Sequence, residues 1–165
     1  MRRKWKIILG SAAVLAVLLF LAARLFSAVM DGEWAAQRSA VSEAYTKTIL
    51  AKVKKVDRFV GDKSYQVIQG EDKIGQPLIV WVDGENIHTE MAADGISSEK
   101  AEENVKAKRP VAEILRTVPG MMNGQPVWEV FYKLRSEQDK RDHYFYDYYT
   151  FKDGALIDTW RLTIQ

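Results

Sequence analysis

The chain has 165 residues, 24 of them basic and 22 acidic, and no cysteine. The missing thiols exclude disulfides, thiolate metal sites, a cysteine nucleophile and a lipid-modified N-terminal cysteine. Every acidic residue lies after Met30, so the remainder of the chain carries 19 basic against 22 acidic residues and offers no basic stripe for nucleic acid.

The N-terminal segment is read as a membrane anchor. Residues 1–6 form a short tail with Arg2, Arg3, Lys4 and Lys6. Ile7 to Ala23 contains no charge, and the apolar stretch runs on to Val29, interrupted only by Arg24. At about 1.5 Å rise per residue, roughly 20 residues span a hydrocarbon core about 30 Å thick. Arg24 sits near the far end, where its stem can snorkel to the headgroups. The basic tail is expected in the cytoplasm and the rest outside it, by the positive-inside rule. A cleaved signal peptide is disfavoured: the apolar run is long, and no Ala-x-Ala site falls between residues 20 and 36. Trp34, just beyond the anchor, suits the membrane interface.

After Asp31-Gly32, residues 33–53 read as an amphipathic helix with Val41, Ala44, Tyr45, Thr48 and Ile49 on one face. Strands are then expected at Val53 to Val60, Tyr65 to Gln69 and Leu78 to Val82. Asp83-Gly84 reads as a two-residue hairpin turn, with a return strand from Glu85 to Met91. A second helix opens at Ile96-Ser97-Ser98-Glu99 and stops near Lys108, because the residue before Pro110 is biased away from helix. Ile96 is placed to staple onto Ala101. Further strands are expected at Val111 to Val118, Val127 to Leu134, His143 to Phe151 and Ala155 to Ile164. Turns are read at Pro119-Gly120, Asn123-Gly124 and Asp153-Gly154, and a solvated loop at Ser136 to Arg141.

The order helix-strands, helix-strands is an internal repeat of about 65 residues. The fold class is α+β: an anchor over 7–29, a first module over 30–93 and a second over 94–165, each a helix on a small antiparallel sheet. Units this small are marginal alone, so the two halves are expected to pack together, or the second to depend on the first.

No chemistry-bearing motif emerges. His88 and His143 have no neighbours at metal-ligand spacing. There is no Gly-x-Ser-x-Gly elbow, no phosphate loop and no dinucleotide fingerprint. The expectation is no catalytic residue, no metal and no cofactor. Trp81 and Trp128 occupy matching strand positions and read as core. The most unusual feature is Tyr144-Phe145-Tyr146-Asp147-Tyr148-Tyr149. Alternation puts Phe145, Tyr149 and Phe151 on one face and Tyr144, Tyr146 and Tyr148 on the other. Two readings stand: a central strand with both faces covered, or a tyrosine ladder that grips a partner. Tyr144, Tyr146 and Tyr148 are therefore the candidate interface residues.

Several stretches carry a resemblance. Val56-Asp57-Arg58-Phe59-Val60-Gly61, Tyr65 to Gly70, Leu78 to Val82 and Gly95 to Ala101 are similar to the TseB (YpmB) family of Gram-positive bacteria. Pro126 to Tyr132 and Tyr149 to Ile157 fit the same pattern. The resemblance implies tandem cystatin-like or PepSY-like modules. It also implies a role in regulating cell-wall elongation together with a class B penicillin-binding transpeptidase. It brings no catalytic residues. The alternative is a PepSY-like binding module or inhibitor aimed at an extracytoplasmic peptidase.

Overall fold

The computed structural model describes residues 2–84 and 86–162, with the side chains of 14–27, 32–84 and 86–162. The element order is α1 (Arg2–Lys47), β1 (Lys52–Val60), β2 (Ser64–Glu71), β3 (Pro77–Val82), β4 (Ile87–Met91), a 3₁₀ turn (Ala92–Asp94), α2 (Ser98–Lys108), β5 (Glu113–Met122), β6 (Gln125–Arg135), β7 (Asp142–Thr150) and β8 (Leu156–Leu162). The chain divides into two units, Met1–Ser39 and Ala40–Gln165.

In the first unit Val14, Leu18, Leu19, Phe20, Leu25 and Phe26 are all more than half exposed. Side chains of this kind bury in lipid or in protein. Among the described residues, α1 is the one helix long and apolar enough to cross a membrane, by length and composition. Trp34 is also exposed. Residues 7–13 and 28–29 of the expected anchor lie outside the described side chains.

The second unit holds two antiparallel meanders of identical topology, β1-β2-β3-β4 and β5-β6-β7-β8. The end of α1 covers one face of the first sheet. Ala40 and Ala44 pack with Leu50 on Ile68, Leu78, Val80 and Val82. This corrects the expected stripe. Tyr45 and Ile49 are exposed, and the helix stops at Lys47 rather than near residue 53. Alanines at 40 and 44 let the backbone approach the sheet closely. Thr48 then turns the chain, accepting a hydrogen bond from the Leu50 N–H and donating to the Ala44 carbonyl.

The opposite face of the first sheet carries Phe59, Tyr65, Val67, Ile79 and Trp81. These join Ala101, Val105, Val118, Val127, Trp128 and Phe151 of the second half in one continuous core. The expected packing of the two halves is therefore present, and Trp81 and Trp128 are both buried. Helix α2 begins as the sequence indicates: Ser97 is its N-cap, its hydroxyl accepts from the Lys100 N–H, and Arg109 ends it.

Three turns differ from their sequence reading. Pro119-Gly120 is not a turn; β5 runs straight through it, pairing Pro119 with Trp128 and Gly120 with Val127. The glycine is needed because Phe59 from β1 lies on it, and a Cβ there would collide with the ring. The proline is tolerated because β5 is a sheet edge and needs no second row of donors. The reversal falls at Asn123-Gly124, both with positive φ (50° and 74°), as a type I′ hairpin requires. Asp83 opens a longer loop, where its carboxylate and N–H both engage Asn86; Glu85 lies outside the described residues. Asp153-Gly154 belongs to a wider loop too, closed by Thr150 N–H to the Ala155 carbonyl. Thr163 and Ile164, the end of the expected last strand, also lie outside the described residues.

Candidate partner interface

Strand β7 is rich in aromatic residues, which favour a pleated sheet. It lies between β6 and β8, so alternation separates its side chains into two environments.

The side facing α2 is dominated by Asp147, which is fully buried. Its carboxylate is saturated by four donors. Oδ1 accepts from the hydroxyls of Tyr132 (3.0 Å) and Thr159 (2.8 Å). Oδ2 accepts from the Arg109 guanidinium (2.8 Å) and the Tyr149 hydroxyl (3.1 Å). Arg109, set by the end of α2, also lies over the Tyr132 ring. A buried carboxylate is tolerated only when paired and hydrogen-bonded in this way. The network therefore ties α2 to β6, β7 and β8.

The other side carries Tyr144, Tyr146 and Tyr148, and the structure gives them different roles. Tyr148 is buried, its hydroxyl donated to Glu129 Oε2 at 3.0 Å and its ring edge-on to Trp160. Glu129 is itself buried and accepts from Arg116 at 2.9 Å. Tyr144 and Tyr146 are half-buried, both stacked on Phe131, with ring centroids 5.8 and 4.5 Å away. Beside them Trp160 is 51% exposed and Leu162 44%. The result is an aromatic ledge of Phe131, Tyr144, Tyr146 and Trp160, with Tyr148 as its floor. Lys133, paired with Glu113 and Asp142, edges it on one side, and Arg116 on another.

Phe131, Trp160 and Glu129 were not singled out by sequence reasoning. Alternation in Val127-Trp128-Glu129-Val130-Phe131 does put Glu129 and Phe131 on one face. Only the register, Phe131 opposite Tyr146 and Tyr146 opposite Trp160, brings them to the tyrosines.

Three tyrosine hydroxyls are pushed well above their usual range. For Tyr132 and Tyr149 burial is the main cause, reinforced by the Asp147 carboxylate; for Tyr148 it is burial and then Glu129. Above pH about 10 the unfolded tyrosines lose protons that the folded ones keep, so the unfolded state binds fewer protons and stability falls as pH rises. The expected slope is about 1.4 kcal/mol per pH unit for each tyrosine. Denaturant midpoints between pH 9 and 11.5 measure it, and Tyr148→Phe should reduce it by about one tyrosine's share.

Among the described residues no three His, Asp or Glu side chains converge to hold a metal. His88 contacts Glu90 at 2.8 Å, and His143 contacts Asp139 at 3.0 Å; the two histidines lie on separate sheets. A cleft of about 620 Å³ opens between Glu90 and Asp94 on one side and Pro126, Phe151 and Lys152 on the other. None of the three candidate tyrosines lines it.

Comparison with known proteins bears on this architecture. Residues 39–83 match the model of the cell wall elongation regulator TseB-like domain. The chain is 32% identical over 146 residues to the probable cell wall elongation regulator TseB of Bacillus subtilis (strain 168), covering 87% of each chain. It superposes on the solved structure of the YpmB protein from Bacillus subtilis with a TM-score of 0.67 at 30% identity, over 76% of this chain and 96% of that one. With a helix-then-meander architecture shared across nearly all of that solved chain, and with identity sustained over most of its length, this chain belongs to the TseB family of cell wall elongation regulators.

Proposed function

We propose that the chain is a membrane-anchored, non-enzymatic regulator of peptidoglycan elongation that binds a class B penicillin-binding transpeptidase. The observation that carries this reading is the 32% identity, over 87% of the chain, to a protein named as a cell wall elongation regulator. The exposed apolar side chains of α1 support an anchor, and the basic residues preceding it support a cytoplasmic N-terminus with both modules outside. Each helix with its meander is read as a PepSY-like or cystatin-like module.

The mechanism is recruitment. Confining two proteins to one membrane raises their effective concentration, so a modest contact suffices. The contact is assigned to the ledge of Phe131, Tyr144, Tyr146 and Trp160. Partly exposed aromatic rings with polar tips bury large area at low entropic cost. The test is crosslinking in intact membranes of the native host, with the captured protein identified by mass. Recovery of a class B transpeptidase is expected. Its absence from the adducts, with the chain itself efficiently crosslinked, would refute the reading.

A further inference from the structure

We infer that β8 is a strand-acceptor edge: an extended segment of a protein partner pairs with Leu156–Leu162 and becomes a fifth strand of the second sheet. The inference rests on the chain acting through a protein partner, whichever protein that is. Sheet edges expose rows of N–H and C=O groups, and folded proteins normally block them with lysines, bulges, short strands or covering elements.

Two of the other three edges carry such devices outright, and the third is partly covered. Strand β1 carries Lys52, Lys54 and Lys55 and a register shift between Val53 and Lys55. Strand β4 has only five residues before the chain turns into the 3₁₀ segment. Strand β5 meets β1 near Gly120 and Met121, and its exposed half carries a register shift between Ile114 and Arg116.

Strand β8 has a bulge at Ile157 but none of the other devices. Among the described residues it pairs with β7 alone. It contains no lysine and no proline, and six of its seven residues are exposed. Leu156, Ile157, Trp160 and Leu162 present apolar surface on both sheet faces. Its two charges are already engaged in part: Asp158 accepts from the Trp160 indole at 2.6 Å, and Arg161 hydrogen-bonds His143 at 2.8 Å.

The chemistry of the occupant follows. Among protein partners, a row of backbone donors and acceptors is matched by another extended backbone, the recognition mode of β-augmentation. Alternation places every second side chain of the added strand beside Asp158, Trp160 and Leu162; the positions beside Trp160 and Leu162 continue the aromatic ledge and are apolar. The other positions lie beside Ile157, Thr159 and Arg161. Arg161 is paired across β7 with Phe145 and forms no ion pair among the described residues, so a carboxylate on the incoming strand complements it. The segment has no proline at the positions whose N–H faces β8, since those residues must donate.

The test uses the full chain in its native membrane, with the photoreactive residue p-benzoylphenylalanine in place of Ile157. The expected result is an adduct to one segment of a protein partner, read from the crosslinked peptide. Adding Leu162→Lys to the edge should cut that adduct about tenfold, whereas Val60→Lys on β1 leaves it unchanged; matched melting temperatures establish that both variants fold. Amides of residues 156–162 should gain exchange protection in the captured complex. No adduct at position 157, an adduct only to a second copy of the chain, or an adduct indifferent to Leu162→Lys would each overturn the inference. An edge adduct to a protein other than a class B transpeptidase keeps the edge and refutes the synthase reading. A co-purifying synthase with no edge adduct does the reverse.

Discussion

Asp147→Ala is expected to cost about 3–5 kcal/mol. The carboxylate is fully buried and accepts from Arg109, Tyr132, Tyr149 and Thr159. Removing it strands the Tyr132 and Tyr149 hydroxyls in the core and leaves the Arg109 guanidinium without its partner. Asp147→Asn should cost less, because its carbonyl still serves one pair of donors while its amide faces the other pair. Denaturant unfolding separates the two variants. Equal losses would show that charge rather than hydrogen-bond saturation holds the site together.

Phe151→Ala should lose a similar amount, about 3–5 kcal/mol, for a different reason. The ring is buried where the two sheets meet, edge-on to Trp81 at 6.1 Å and beside Trp128 at 6.4 Å. Its backbone is fixed as well: the carbonyl accepts from Ile96, and the N–H donates to Pro126. Truncation leaves a cavity between rigid aromatic neighbours that cannot collapse into it. Because one core runs through both halves, the variant should still unfold in a single transition at a lower midpoint. Two separated transitions would contradict the shared core.

Much of this architecture was readable from local pattern. The strands at Val53 to Val60 and Leu78 to Val82, a helix start at the Ser97-Ser98 pair and the Asn123-Gly124 turn are each specified by residues a few positions apart, as the structure bears out. What the chain could not reveal depends on distant partners. Pro119-Gly120 carries turn residues, yet it lies mid-strand because Phe59, some sixty residues earlier, requires a bare backbone at Gly120. The buried stripe of helix α1 differs from the expected one because Ala40 and Ala44, weak signals of burial by themselves, are the residues that meet the sheet.

The tyrosine run shows the same limit. Period-two alternation correctly places Tyr144, Tyr146 and Tyr148 on one face. Their depths differ because Glu129 and Trp160 enclose Tyr148, while Tyr144 and Tyr146 stack on Phe131 nearer the surface. Which tyrosines remain available to a partner is a property of strand register, which no single segment encodes.

The decisive measurement is the affinity of the full chain for a class B penicillin-binding transpeptidase, both held in one lipid nanodisc, for the native protein and for Tyr144→Ser/Tyr146→Ser. Both exchanged side chains are only half-buried and stacked on Phe131, so the double variant should stay folded. The expected result is binding by the native chain and at least about tenfold weaker binding by the variant, a loss of roughly 1.4 kcal/mol or more. No binding by the native chain, or equal binding by both with their melting temperatures matched, would contradict the account.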